Sequence, residues 1–311
     1  MMDDENYNSI NETIDKKISE FIGKKNIIKQ NSNKTNIKNL VLSGGGPKGI
    51  ALLGALQILE ENDMLKNIKT IAGASIGGVI SCLMCIGYSP MELFSFINLF
   101  DTSKFNKFDP SFIFDKFGLD NGETFEMIIG KLFECKNISK DITFKEMYEY
   151  SKIKVILTTV CVNDKQTYYI SHINYPNMKV ITGIRMTTAI PLIFAPVNYN
   201  GRLYVDGACN DNYPIHLFKD ELFATIGLCL RSENKYVEKI DNIETFLYCL
   251  IKSLGEGVTC NSINGFENET ILINCPNVEI TQFTIEKELK KELFECGKKS
   301  CDDFIKSKMR V

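Results

Sequence analysis

Histidine and tryptophan are scarce in this chain of 311 residues, which contains two histidines, His172 and His216, and no tryptophan. Two histidines are too few for a three-histidine zinc site, and the chain has no H-E-x-x-H pair of the kind that metalloproteases use. The scarcity also leaves few candidates for a mechanism that requires an imidazole base. The sequence implies no metal and no other cofactor.

The chain also lacks a surplus of positive charge, since 36 Lys and Arg are set against 39 Asp and Glu. Proteins that bind nucleic acid usually carry a basic patch or stripe, so nucleic acid is not an expected partner. The first 30 residues are polar and charged, without the apolar segment of a secretory signal. Eleven scattered cysteines are then expected to be reduced thiols in a cytoplasmic protein. Transient peripheral association with membranes is expected.

Residues 1–36 read as a polar N-terminal extension. Within it, Ile10, Ile14 and Ile18 recur at helical spacing and predict a short amphipathic helix. That helix either packs on the domain surface or, as the alternative, anchors the chain at a membrane. The uncharged stretch 70–91 is long enough to cross a bilayer, but glycines and Pro90 interrupt it, so we expect it to be core.

Residues 37–311 are expected to form one α/β domain, because predicted strands alternate with predicted helices. The predicted strands are 37–42, 68–73, 153–162, 167–172, 203–205, 222–230 and 269–274, and the predicted helices include 47–61, 76–86, 243–254 and an amphipathic helix from Ile285 to Phe304. Short connections between such units imply parallel strands with right-handed crossovers. The phenylalanine-rich segment 90–150 is either core or the lining of an apolar ligand channel.

Ser75 lies in the run Gly73-Ala74-Ser75-Ile76-Gly77, between an apolar predicted strand and an apolar predicted helix. A G-x-S-x-G sequence in this setting is typical of a nucleophile elbow, whose glycines let the strand and the helix approach closely. The serine side chain then projects at the carboxyl edge of the sheet, where the helix N-terminus stabilises developing negative charge. The alternative is a serine that only caps a helix in a glycine turn.

A second glycine cluster, Gly44-Gly45-Gly46-Pro47-Lys48-Gly49, follows the first predicted strand. It is not a Walker A loop, and a dinucleotide fingerprint would need an acidic residue that the next strand does not supply. We therefore expect the N–H groups of Gly45 and Gly46 to form an oxyanion hole that faces Ser75. Lys48 is expected to be a solvated lysine at the start of the helix, and a positive charge beside an anionic substrate is the alternative.

A nucleophilic Ser75 needs a base, and the sequence offers two kinds. His216 follows Asp206 in the order serine, acid, histidine that α/β-hydrolases use, but only ten residues separate the two. Asp206 ends a predicted strand, although an Asp-Gly pair by itself indicates only a turn. A structural or surface role is the simpler expectation for both histidines.

Four motifs in order resemble the patatin-like phospholipase family. They are G-G-G-x-[KR]-G at 44–49, G-x-S-x-G at 73–77, A-x-P-x-x-F-x-P at 189–196 and Asp-Gly-Ala at 206–208 with a trailing N-x-P at 212–214. The resemblance covers about 39–218, with Ala74 where many members have threonine. It implies a three-layer α/β fold with a mostly parallel central sheet flanked by helices.

The resemblance also implies a catalytic dyad without histidine. Carried over, Ser75 is the nucleophile, Asp206 is the base and Gly44, Gly45 and Gly46 form the oxyanion loop. The supporting motif positions are Lys48, Gly49, Gly73, Gly77, Gly207 and Ala208. The implied enzyme is a serine acylhydrolase, a carboxylic ester hydrolase of calcium-independent phospholipase A type, with monoacylglycerol or galactolipid as alternative substrates. Two other hypotheses stay open, a lipid-binding or storage protein with little turnover and an esterase that uses His216.

Overall fold

The structure, a computed structural model, describes residues 36–99, 112–232, 236–241, 243–276, 278 and 285–309. Its strands are β1 Asn39–Leu42, β2 Thr70–Ala74, β3 Gly118–Asp120, β4 Lys154–Cys161, β5 Gln166–Ile170, β6 Leu192–Phe194, β7 Val197–Tyr199, β8 Arg202–Asp206, β9 Thr225–Ser232 and β10 Thr270–Cys275. Its α-helices are α1 Gly49–Glu61, α2 Ile76–Cys85, α3 Pro90–Leu99, α4 Phe112–Lys116, α5 Glu123–Cys135, α6 Phe144–Ser151, α7 Val180–Thr187, α8 Ile243–Ile263 and α9 Lys287–Met309.

Eight of these strands form one central sheet in the order β10-β9-β1-β2-β4-β8-β7, with β5 also paired to β4. The strands from β10 to β4 are parallel to their neighbours, whereas β5 and β8 run antiparallel to β4 and β7 runs antiparallel to β8. The remaining two strands, β3 and β6, pair separately. The predicted mostly parallel sheet is confirmed.

Helices cover one face of the sheet and a mixed layer covers the other. Alternate residues of β1 divide between two apolar clusters, because successive side chains of a strand point to opposite faces. Leu40 and Leu42 pack in the large cluster with helix residues of α1, α2 and α9. Val41 packs in the smaller cluster, which Tyr213 and neighbouring residues of the 207–218 loop share with the end of α8. Both faces are therefore buried, as expected for parallel strands.

The predicted strands and helices are confirmed within a few residues at most ends. The largest error is in α8, which was expected to end at Leu254 and continues to Ile263. Gly255 and Gly257 follow the predicted end, but glycine only weakens a helix and does not by itself end it. Beyond these glycines, Thr259 of α8 accepts a hydrogen bond of 2.7 Å from the side-chain amide of Asn212. The extension of α8 matters for function because its added residues reach the candidate site.

Within the phenylalanine-rich segment, the described residues support a core role. Phe96 and Phe133 are buried, and Phe94 stacks on Phe294 of α9 with 4.0 Å between ring centroids. Phe114 and Phe117 are exposed.

The predicted helix in the N-terminal extension lies outside the described residues. In the described part of the chain, no single helix is long and apolar enough to span a membrane, and α2 and α3, which together have the length, are bent by 120°.

Candidate active site

Ser75 occupies the sharp turn between β2 and α2. Its backbone adopts φ 49° and ψ −125°, a left-handed conformation that is strained for any residue with a side chain. The surrounding structure holds it there, since the Ser75 N–H donates to Oγ1 of Thr187 on α7 at 2.9 Å. The side chain thereby projects away from both strand and helix, as the elbow motif predicts, although Ser75 itself is only 5% exposed.

The glycines on either side of Ser75 are required by close packing. A Cβ atom on Gly77 would collide with the carbonyl oxygens of Leu42 and Ser43 at the end of β1. A Cβ atom on Gly73 would lie 2.6 Å from the carbonyl carbon of Gly77. The N-terminus of α2 therefore lies directly against the carboxyl ends of β1 and β2, where it can stabilise negative charge.

Asp206 is placed opposite Ser75 by the end of β8. Its Oδ2 accepts a hydrogen bond of 2.6 Å from the Ser75 hydroxyl, and its Oδ1 accepts one of 2.8 Å from the Ala208 N–H. The Asp206 N–H in turn donates to the carbonyl of Ala189 at 2.9 Å, which fixes the backbone. Both carboxylate oxygens are thus committed, and the side chain has one orientation.

The environment of Asp206 favours its neutral form. The side chain is buried, and burial raises the pKa of Asp206 to about 7, while the hydrogen bonds from Ser75 and Ala208 oppose that rise. An ordinary aspartate has a pKa near 4 and is a weak base. A carboxylate whose pKa is close to neutral is a stronger proton acceptor and can still be ionised at physiological pH.

The glycine loop after β1 faces this pair, and its backbone N–H groups differ in their hydrogen-bond partners. The Gly44 N–H donates to the carbonyl of Asn212 at 3.0 Å, so it is not a free oxyanion donor. This revises the expectation that Gly44 acts alongside Gly45 and Gly46. Among the loop residues that the structure describes, the amides of Gly45 and Gly46 donate to no backbone carbonyl. They remain the candidate donors, and Gly46 reaches its position through a positive φ of 55°.

A cavity of about 1040 Å³ opens over Ser75 and Asp206. Its polar floor is formed by the two side chains and the glycine loop, and its walls include Leu230 and Leu272 of the sheet and Leu250 and Leu254 of α8. Lys48 also lines the cavity and is only 9% exposed. The expectation that Lys48 is a solvated lysine is wrong, because the short 3-10 helix Gly46–Lys48 turns its side chain inward.

Asn212 and Thr259 are site residues whose importance the sequence did not show. The Asn212 side-chain amide donates to Oγ1 of Thr259 on α8 at 2.7 Å, and the backbone carbonyl of Asn212 accepts a hydrogen bond from the Gly44 N–H. One residue therefore connects α8 to the oxyanion loop. Asn212 was visible only as part of the N-x-P motif, and Thr259 had no motif that could have indicated it.

The two histidines lie elsewhere. His216 contacts Tyr169, with 3.2 Å between Nε2 and the phenol oxygen, and lies 3.8 Å from Asp211. It lines a separate pocket of about 320 Å³. His172 stacks on Tyr148 with 3.8 Å between ring centroids. The Ser75 hydroxyl donates its hydrogen bond to Asp206, not to an imidazole.

Two supporting glycines also have a structural reason. A side chain on Gly49 would collide with Ile76 at the start of α2, and one on Gly207 would collide with Thr158 of β4. The first keeps α1 close to the elbow and the second keeps Asp206 close to β4.

In the described ranges, no three His, Cys, Asp or Glu side chains are grouped in a way that could hold a metal ion.

Comparison with known proteins adds a family and a fold. A family model described as "Patatin-like phospholipase" matches residues 40–219. "Uncharacterized protein R571" of Acanthamoeba polyphaga mimivirus is 31% identical over 280 residues, which span 86% of this chain and 93% of that protein. "Probable lipid hydrolase 463L" of Invertebrate iridescent virus 6 is 34% identical over 187 residues, 58% of this chain and 62% of that protein.

Among solved structures, the crystal structure of VipD from Legionella pneumophila superimposes with a TM-score of 0.61 at 16% identity. The superposition covers 94% of this chain and 73% of VipD. The expected three-layer α/β architecture, with a mostly parallel sheet between helices, is confirmed.

Proposed function

The chain belongs to the patatin-like phospholipase family of lipid hydrolases, and from that premise we propose that it is a serine acylhydrolase of phospholipase A type. The observation that carries the proposal is the hydrogen bond of 2.6 Å between Ser75 Oγ and Asp206 Oδ2 at the floor of a cavity with apolar walls. This pair joins a hydroxyl to a base in a cavity that is also lined by Gly45 and Gly46, whose N–H groups donate to no backbone carbonyl among the described residues.

In the first half-reaction, Ser75 Oγ attacks the carbonyl carbon of a fatty-acyl ester while Asp206 accepts the hydroxyl proton. The carbonyl oxygen becomes an oxyanion, and the N–H groups of Gly45 and Gly46 stabilise it together with the N-terminus of α2. When the tetrahedral intermediate collapses, the bond to the alcohol oxygen breaks and Asp206 returns the proton to that oxygen. The products are the lysolipid and an acyl ester on Ser75.

In the second half-reaction, water attacks the acyl ester and gives its proton to Asp206. The intermediate collapses with cleavage of the bond to Ser75, which takes the proton back, and the fatty acid leaves. The same carboxylate thus acts as base and acid in turn, and neither His172 nor His216 takes part. The near-neutral pKa of Asp206 suits both roles, because at physiological pH the carboxyl can be ionised to accept a proton and, once protonated, can donate it again.

The substrate class follows from the walls of the cavity. Leucine side chains from the sheet and from α8 offer an apolar surface for an acyl chain, whereas Lys48, Arg231, Glu256 and Glu267 place charges of both signs on the lining. A glycerophospholipid, with apolar chains, an ester and a polar headgroup, fits this combination. We further propose that the protein acts in the cytoplasm and associates with membranes only peripherally.

The test is the release of free fatty acid from phosphatidylcholine vesicles in the presence of a calcium chelator. Wild-type protein should release fatty acid, and Ser75→Ala should reduce the rate by about 10⁴-fold or more, since it removes the nucleophile. Asp206→Asn should reduce it severely while keeping the geometry. A fluorophosphonate probe should label wild-type protein at Ser75.

Equal release by all three proteins would refute the proposal. Tightly bound lipid that co-purifies and is not hydrolysed over hours would instead support a storage protein. The positions of the released and retained acyl chains would define the regiospecificity.

A further inference from the structure

Exposed apolar side chains are concentrated in one short stretch of the chain. Of the fourteen large hydrophobic residues that are exposed in the described ranges, six lie between residues 236 and 254. We call these six residues the apolar rim: Tyr236, Val237, Ile240, Phe246, Leu250 and Leu254. Tyr236 is 90% exposed and Leu254 is 65% exposed. A group of exposed apolar residues usually marks a binding site, whereas single exposed hydrophobic residues do not.

Part of the apolar rim is a stripe on α8. Phe246, Leu250 and Leu254 recur every fourth residue, so they lie on one side of the helix over two turns, about 12 Å. Leu250 and Leu254 are exposed to solvent and at the same time line the cavity over Ser75. The stripe on α8 therefore extends from the outside of the protein to the lining of the candidate active site.

We propose that the apolar rim is the surface with which this protein docks on a phospholipid bilayer, so that an acyl chain passes over Leu250 and Leu254 into the cavity. The proposal rests on the acylhydrolase function proposed above, and it names the surface and the partner. A bilayer-resident substrate must leave its leaflet to reach a buried serine. A continuous apolar path lowers the cost of that transfer, because the chain is not exposed to water on the way.

A bilayer fits this surface better than a second copy of the chain does. A stable dimer interface buries roughly 800 Å² per partner, more than three helix side chains and a short flanking segment provide. A symmetric dimer on the stripe would also cover the mouth of the cavity. A lipid surface needs no complementary shape, and a few inserted apolar side chains are enough for reversible binding.

The charges beside the apolar rim indicate what kind of lipid surface it suits. Glu238, Lys239 and Asp241 are all exposed and of mixed sign. Adsorption is then driven by apolar insertion and not by attraction to anionic lipids. Binding to zwitterionic vesicles should accordingly persist at high ionic strength, which screens only electrostatic attraction.

The absence of tryptophan from the chain allows a direct test. Phe246→Trp, made in the Ser75→Ala protein so that no lipid is consumed, places a single indole in the apolar rim. Its emission should shift to shorter wavelength on addition of phosphatidylcholine vesicles and should be quenched by brominated lipid. The matched control is Phe223→Trp, because Phe223 is 77% exposed but precedes β9, at the opposite end of the sheet from the cavity. Its emission should not change.

A second arm measures function. In vesicle flotation, Ile240→Ser with Phe246→Ser should weaken binding by about tenfold, since two apolar side chains no longer insert. Hydrolysis of vesicle lipid should fall in parallel, while hydrolysis of a monomeric short-chain ester stays within about twofold of wild type, because neither residue lines the cavity. Phe223→Ser should change neither measurement.

The outcomes separate the two proposals. An unchanged indole spectrum of the Phe246→Trp variant, with a wild-type protein that hydrolyses the short-chain ester, overturns the docking surface and leaves the hydrolase in place. A shifted indole spectrum of that variant, with a wild-type protein that hydrolyses neither substrate, supports the surface and refutes the enzyme. Dimers that dissociate in the double-serine variant, with vesicle binding unchanged, would show that a second copy is the true partner. The tryptophan variants do not depend on the folding of the serine variants, so the test stands without them.

Discussion

Ser75 and Asp206 are 131 positions apart in the chain, yet the Ser75 hydroxyl donates a hydrogen bond of 2.6 Å to the Asp206 carboxylate. The strand between them, β4, explains the proximity. Ala74 at the end of β2 is in register with Thr158 of β4, and Asp206 at the end of β8 is in register with Thr159. Two consecutive residues of one strand thus align the last residues of its neighbours, and the position of the dyad is set by backbone pairing.

The first prediction concerns pH. For a soluble short-chain ester, kcat/KM should rise as Asp206 loses its proton, with a midpoint near pH 7, because burial raises the pKa of that carboxyl to about 7. An aspartate of ordinary pKa would give a midpoint about three units lower. The measurement is a profile of kcat/KM against pH, which reports the ionisation of the free enzyme.

A histidine would titrate in the same range, so the profile needs a control. His216→Gln, alone and combined with His172→Gln, should leave the midpoint and the plateau essentially unchanged. Ionisation of a carboxyl group absorbs little heat, whereas ionisation of an imidazole absorbs much more, so the midpoint should also move little with temperature. If the rise of kcat/KM near pH 7 is lost in His216→Gln, the base is the histidine.

The second prediction is that Asp206 costs stability when it is ionised. Its pKa is near 4 in the unfolded chain and about 7 in the folded protein, so the folded state binds the proton more tightly. The free energy of unfolding therefore falls as pH rises from about 4 to about 7, and the cost is complete above both values. Asp206→Asn removes the charge and can keep the acceptor for the Ala208 N–H. At about pH 8 its free energy of unfolding should exceed that of wild type by as much as a few kcal/mol.

Denaturant unfolding of both proteins at about pH 5 and about pH 8 checks this prediction. The gain from Asp206→Asn should be larger at the higher pH, and the variant should be inactive at both. Glu221→Gln is a suitable control, since Glu221 lies outside the cavity. A gain that does not depend on pH would show that the carboxyl is not the source of the effect.

Much of this arrangement could be predicted from the sequence, but the role of Gly44 and the contribution of α8 could not. The elbow at Ser75 was predictable because the two glycines are needed locally, for contacts within a few residues and with the end of β1. The role of Gly44 was not, since its N–H is taken by a carbonyl from Asn212, which only the folded chain brings near. The contribution of α8 had no sequence signal either, because a leucine that lines a cavity and a leucine in a core have the same pattern.

The third prediction concerns the strain at Ser75. With φ 49° and ψ −125°, this residue occupies a region that glycine adopts readily and that costs other residues about 1 to 3 kcal/mol. Ser75→Gly should therefore be more stable than Ser75→Ala by about 1 kcal/mol, after subtraction of the greater entropy of glycine in the unfolded chain. Both variants lose the bond to Asp206, so their difference isolates the backbone. Equal stabilities, measured by denaturant unfolding, would mean that the elbow stores no strain.

The last prediction concerns the link between α8 and the oxyanion loop. Thr259→Val keeps the volume of the side chain but removes the acceptor for the Asn212 amide, whose bond to Thr259 is 2.7 Å long. A buried amide without its partner costs about 1 to 3 kcal/mol and is free to rotate. The Asn212 carbonyl, which holds the Gly44 N–H at 3.0 Å, then loses its fixed position. Misplacement of the oxyanion donors should lower kcat by about tenfold with little change in KM, because they act mainly on the transition state.

Thr259→Ser separates positioning from packing, because serine keeps the hydroxyl and loses the methyl group. It should restore kcat to near the wild-type value, with short-chain ester as substrate so that membrane docking plays no part. If serine is as slow as valine, a hydroxyl at position 259 is not enough to restore kcat, and the hydrogen bond to Asn212 does not by itself position the loop. If valine is as fast as wild type, α8 can move without disturbing the oxyanion donors, and the helix serves only to line the cavity.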